Sequence, residues 1–199
     1  MLFWNDDKRT SDKNGDILVR RGIGGPNVIV GGYSQTGEGL NAIWRDALKR
    51  ALPSVVPEPR VLILGLGGGG MLGDVYKMFL GARVTAVDHD PEMIKITHEL
   101  KYFEPFPPPD IICADALDAV RGLETAFDLI AIDMFRGGEV SPHYANAEFW
   151  DQLKKRLTEQ GIVLVNVAGS REFLEGIGRH FSHADMWRCE ANYLGMFSA

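Results

Sequence analysis

Residues 60–70 read RVLILGLGGGG, an apolar run that turns without transition into a segment where five of six positions are glycine. Arg60 is followed by four aliphatic residues with no polar alternation, the pattern of a strand buried on both faces of a parallel sheet. Gly65, Gly67 and Gly69 then occupy the turn into a helix that opens near Met71. A bare backbone before a helix N-terminus lets a ligand approach the main-chain N–H groups and the positive end of the helix. The same glycines also suit a tight turn and close helix packing, so their placement between strand and helix carries the argument rather than their number.

Outward from this turn, strand and helix patterns alternate. RVTAVD (83–88), DIICAD (110–115), FDLIAID (127–133) and GIVLVNV (161–167) supply four further strands, with helical patterns between them. Asp90 and Pro91 suit the cap and first position of the second helix. The tail segments ADMWRCE (184–190) and NYLGMF (192–197) are too close for a crossover helix and are expected to pair as an antiparallel hairpin. The fold expected is α/β: a Rossmann-like, doubly wound, mostly parallel sheet of seven strands, with that hairpin at one edge. Upstream, residues 17–19 and 28–30 read as a short N-terminal β hairpin, and 40–51 as an amphipathic helix stopped by Pro53 and Pro57. The first fifteen residues read as a polar, mobile lead-in. The expected division is 1–56 for this extension and 57–199 for the main domain.

Composition narrows the function. The chain of 199 residues carries 21 Lys and Arg against 27 Asp and Glu, a net charge of -6 without a dense basic patch, so nucleic acid is not an expected partner. No segment has the length of apolar sequence that a membrane helix needs, and the start lacks a secretory pattern. Cys113 and Cys189 have no metal-ligand spacing, so no metal is expected and a reducing cytoplasm fits.

Asp88 ends the second strand, nineteen positions beyond Gly69. A carboxylate there can accept hydrogen bonds from both hydroxyls of a ribose. Asp115, after the third strand, either accepts from an adenine amino group or caps the helix that begins near Ala116. Together with the glycine turn, these residues describe an adenosine site. The spacing of Gly65, Gly67 and Gly70 also satisfies a dinucleotide turn, so an NAD-dependent oxidoreductase stands as an alternative, as does a non-catalytic nucleoside-binding protein.

VLILGLGGGG (61–70), VTAVDHDPEMI (84–94), CADA (113–116), FDLIAID (127–133) and YANAEFW (144–150) resemble the motifs of the spermidine synthase-like class I S-adenosylmethionine-dependent transferases. GGYSQ (31–35) is similar to that family's short N-terminal motif. The resemblance implies a transferase of methyltransferase fold in polyamine biosynthesis or a related path. Its cofactor would be S-adenosylmethionine or the decarboxylated form, and an aminopropyl or methyl group would pass to a small-molecule acceptor. Gly65, Gly67 and Gly69 would line the nucleoside and tail, Asp88 would hold the ribose, Asp115 and Ala116 the adenine, and Gln35 would face the cofactor's amino-acid end. Asp133 would be the reaction-centre carboxylate. Arg136, His143 and Tyr144 are candidate acceptor contacts, and a homodimer is left open.

Two positions depart from the family pattern. Arg136 stands where a second acidic residue is expected, and Gly68 where aspartate is common. A diamine carries positive charge that Arg136 would repel if it faced the pocket, which favours methyl transfer or an acidic acceptor. Arg136 otherwise points to solvent, or pairs with a carboxylate on a substrate or on the methionine tail. Trp44, Trp150 and Trp187 read as core or interface residues.

Overall fold

The computed structural model describes residues 5–23 and 25–198. Its main sheet holds seven strands: β5 (Arg60–Leu64), β6 (Arg83–Asp88), β7 (Asp110–Cys113), β8 (Phe127–Ile132), β11 (Leu157–Ala168), β12 (His183–Cys189) and β13 (Asn192–Ser198). They lie in the order β12-β13-β11-β8-β5-β6-β7. β5 pairs in parallel with both β6 and β8, so strand order reverses at the glycine strand. Both strands of the tail hairpin are antiparallel, β13 against β11 and β12 against β13, as the short spacer between them dictates.

The sheet separates two apolar layers because neighbouring side chains on a strand point to opposite faces. Val61 and Ile63 of β5 pack with Trp44, Leu48, Leu72 and Val75, from the helices α1 (Glu38–Ala51) and α2 (Gly70–Met78). Leu62 and Leu64 pack on the other face with Val120, Phe149, Trp150 and Leu174 of α4 (Ala116–Gly122), α5 (Ala147–Lys154) and α6 (Arg171–Gly178). All four aliphatic residues of β5 are at most 1% exposed, which accounts for the missing polar alternation.

The expected N-terminal hairpin is present as β2 (Gly15–Gly22) against β3 (Gly25–Val30), and it is extended on both sides. β4 (Tyr33–Thr36) pairs with β3, and β1 (Asn5–Ser11) pairs with β2, giving four antiparallel strands. The reading of a mobile lead-in is therefore corrected over residues 5–11; residues 1–4 lie outside the described residues. Order in this polar stretch comes from main-chain pairing and from charge. Arg9 meets Asp7, Glu92 and Glu99, and Ser11 and Asn14 both donate to the fully buried Asp90. Ile17, Val19, Val28 and Val30 close a third apolar cluster against Met93 and Ile96 of α3 (Pro91–Leu100). This sheet is thereby fixed beside the carboxyl ends of the parallel strands.

Among the described residues no helix is long and apolar enough to cross a membrane, and no group of three or more His, Cys, Asp or Glu could hold a metal ion.

Candidate active site

A cleft of about 500 Å³ lies beyond the carboxyl ends of β5, β6, β7 and β8, where the strand order reverses. Ligands of open α/β sheets gather at this position. Of the residues singled out in the sequence, Gln35, Gly65, Gly67, Asp88, Asp115, Ala116, Asp133, Arg136 and His143 line it. Two do not. Gly69 caps α2 in a left-handed conformation with Thr97 and Leu72 over its α-carbon. Tyr144 is 4% exposed beneath the cleft, where its hydroxyl donates to the Asn166 carbonyl at 3.1 Å and its ring stacks on Trp150.

The glycine turn is bare for a reason the sequence did not reveal. A β-carbon on Gly65, at φ 92°, would lie 2.2 Å from the Asp133 carbonyl oxygen, and one on Gly67, at φ 56°, would lie 2.4 Å from that of Gln35. The first atoms that a side chain would meet are the protein's own backbone. Absence of side chains is what lets the Asp133 loop and β4 close onto the turn. Thr36 Oγ1 completes the seam by donating to the Gly67 carbonyl at 2.7 Å.

Asp88 is 8% exposed and braces the turn from the neighbouring strand: Oδ2 accepts from Leu66 N–H and Oδ1 from Asp90 N–H, both at 2.9 Å. Each oxygen keeps a lone pair for a ligand hydroxyl. Asp115 caps α4 through Leu117 N–H at 2.9 Å, and its other oxygen lies 2.8 Å from His143 Nε2. Burial pushes the Asp115 carboxyl up, but the bonds from His143 and Leu117 outweigh it and hold the group below the usual carboxylate range. His143 is in turn stacked on Phe149.

Asp133 follows β8 directly, and its carboxylate is held from two sides. Trp44 Nε1 donates to Oδ2 at 2.7 Å, and Asn166 Nδ2 donates to Oδ1 at 2.9 Å. Asn166 is fixed by Asn192 Nδ2, which donates to its Oδ1 at 2.8 Å. Burial drives the Asp133 pKa up to about 6, against the two hydrogen bonds that favour the ionised form. The carboxyl is thus an anion at neutral pH, yet basic enough to accept a proton.

Part of the stretch 134–145 that follows β8 and Asp133 is a hairpin. β9 (Phe135–Arg136) pairs with β10 (Glu139–Val140) across Gly137 and Gly138. Gln35 Nε2 donates to the Gly137 carbonyl at 3.2 Å, and the Tyr33 ring packs on Gly138, so the hairpin is tied to the N-terminal sheet. It carries Arg136 and Glu139 along the cleft.

Residues 51–176 match the spermine/spermidine synthase domain. The chain belongs to the spermine/spermidine synthase family. A polyamine aminopropyltransferase of Vibrio vulnificus (strain CMCP6) is 29% identical over 114 residues, covering 55% of this chain and 38% of that protein. The chain spans about half or less of the length of the curated relatives it matches. A spermidine synthase in complex with the transition-state analogue AdoDATO superposes with a TM-score of 0.75 at 19% identity, over 96% of this chain and 72% of that one. Human methyltransferase-like protein 13 in complex with SAH gives 0.66 at 23%, over 81% and 82%. The fold of the spermine/spermidine synthase family is therefore the one the glycine strand predicts.

Three polar residues of this family member escaped the sequence reading. Trp44 was placed in the core, correctly by burial at 1% exposure, but a buried indole N–H needs an acceptor, and that acceptor is Asp133. Asn166 carried a signal, since an asparagine inside GIVLVNV leaves a polar group to be satisfied in a buried strand. Glu139 carried a weaker one, since it follows the Gly137-Gly138 pair, a two-residue hairpin turn signal.

Proposed function

We propose that this chain transfers an aminopropyl or methyl group from an adenosylsulfonium cofactor, S-adenosylmethionine or its decarboxylated form, to a small-molecule acceptor. The observation that carries the reading is Asp133: a carboxyl with pKa about 6, clamped by two N–H donors beside the glycine turn and lining the cleft. The cleft volume suits a nucleoside-sized ligand. Asp88 would accept from the ribose hydroxyls with the lone pairs left by Leu66 and Asp90. Asp115 and Ala116 would border the adenine, with His143 beside them. When bound, the sulfonium supplies an electrophilic carbon and departs as a neutral thioether.

The chain's own task is then alignment and proton management. An acceptor amine attacks only when deprotonated. Asp133 would orient its lone pair and take the proton it releases as the nitrogen–carbon bond forms. Trp44 and Asn166 hold the carboxylate as hydrogen-bond donors and do not themselves take up the proton. Support for a transferase comes also from family membership and from the names of the relatives. The test is mass spectrometry of products from a panel of amines supplied with each cofactor form. Turnover that disappears in Asp133→Asn while methylthioadenosine still binds is the expected result; normal turnover in that variant removes Asp133 from the mechanism.

A further inference from the structure

Of the ionisable side chains that line the cleft, nearly all are already engaged. Asp88 receives the N–H groups of Leu66 and Asp90, Asp115 that of Leu117 and His143, and Asp133 those of Trp44 and Asn166. His89 sits 3.6 Å from Asp88. Arg136 and Glu139 are different. They are cross-strand partners in the hairpin, so their side chains leave the same face of the ribbon, and both line the cleft. Neither makes a side-chain hydrogen bond or ion pair with another described residue, not even with the other. Arg136 is also the one Lys or Arg among the described lining residues.

An unengaged cation beside an unengaged anion, on a backbone pinned by Gln35 and Tyr33, complements a ligand that carries the opposite pair of charges. We propose that Arg136 and Glu139 form a recognition site for an α-amino-acid zwitterion, with the guanidinium taking the carboxylate and Glu139 the ammonium group. This inference rests on the adenosine reading of the cleft and deepens it. Two sources carry this chemistry: the methionine tail of the cofactor and a free amino-acid acceptor. The position of the hairpin favours the tail. Gln35 joins the hairpin to the glycine turn, since its side chain bonds Gly137 and its carbonyl abuts Gly67. Gln35, Gly67 and the hairpin line the same cleft as Asp88, so a tail extending from a nucleoside held there would reach them.

The test is calorimetric titration of the wild-type chain, Arg136→Gln and Glu139→Gln with S-adenosylmethionine, decarboxylated S-adenosylmethionine, S-adenosylhomocysteine and methylthioadenosine. Both substitutions lie on exposed positions of a short hairpin and remove the charge while keeping a polar side chain. The wild type should bind the two ligands with an intact amino-acid end about tenfold or more tightly than the other two, because a charge-assisted pair is lost with the carboxylate. Arg136→Gln should erase that margin and leave methylthioadenosine affinity unchanged, and Glu139→Gln should narrow it. A second arm titrates the methylthioadenosine-saturated protein with free α-amino acids and with matching amines that lack the carboxylate. Amino-acid binding there that depends on Arg136 supports the same site and assigns the zwitterion to the acceptor. The inference is overturned if methylthioadenosine binds but Arg136→Gln alters no amino-acid-bearing ligand in either arm. Failure of methylthioadenosine to bind the wild type overturns the nucleoside reading, and this inference with it.

Discussion

Trp44 and Asp133 stand 89 positions apart in the sequence, and the indole Nε1 of the first donates to Oδ2 of the second at 2.7 Å. The contact joins α1, which precedes the parallel sheet, to the strand end that holds the reaction-centre candidate. Trp44→Phe keeps most of the apolar surface but deletes the donor. Loss of one charge-assisted bond disfavours the ionised carboxylate by about 1 to 2 kcal/mol, which raises the Asp133 pKa from its value near 6 by about one. The acidic limb of the pH–rate profile should move up accordingly, with methylthioadenosine affinity unchanged. A profile that stays in place would show that the indole does not tune Asp133.

Asn166 supplies the second donor, and Asn192 acts only through it. Asn166→Ala should therefore lower kcat more than Asn192→Ala, while the double variant should match Asn166→Ala alone. Additive losses in this double-mutant cycle would mean that Asn192, which lines the cleft, meets the acceptor directly.

The pH dependence of stability has a definite sign. Asp133 has a folded-state pKa raised to about 6, so its contribution favours the folded state below the usual carboxylate value and is lost as pH rises through about 6. The size is roughly 2 to 3 kcal/mol between pH near 4 and pH near 7. Asp133→Asn removes this titration. Urea unfolding at both ends of that range should show the variant gaining on the wild type as pH rises, and a constant difference would contradict the buried, desolvated carboxyl.

Gly65→Ala forces a β-carbon to within 2.2 Å of the Asp133 carbonyl oxygen at a backbone φ of 92°. Backbone on both sides leaves no soft neighbour to move, so a loss of roughly 2 to 4 kcal/mol is expected. Gly15→Ala is the control, with φ 66° and nothing within 4 Å, and should cost about 1 kcal/mol in the same urea titration. Equal losses would mean that the close approach at Gly65 is not a constraint.

The sheet was legible because RVLIL, RVTAVD and FDLIAI announce their burial on both faces, and Asp90 and Asp115 announced the helices that they cap. β1 was not, because NDDKRTS has no apolar face and owes its order to pairing with β2 and to the Arg9 ion pairs. Local pattern also could not reveal that the glycines serve the approach of Gln35 and Asp133, or that Trp44 reaches across the fold. Contacts between residues dozens of positions apart leave no periodic trace. Asn166 was the exception, since an amide inside an apolar strand must find partners.

Asp88 carries the central claim, because a cleft built for adenosine needs a carboxylate facing its ribose. The direct measurement is calorimetric titration of methylthioadenosine into the wild type and Asp88→Ala, with circular dichroism to verify that the variant folds. The wild type should bind, and the variant should bind more weakly by on the order of 1 to 3 kcal/mol through loss of charge-assisted bonds. Equal affinity in the two proteins, or no binding by the wild type, would contradict the account.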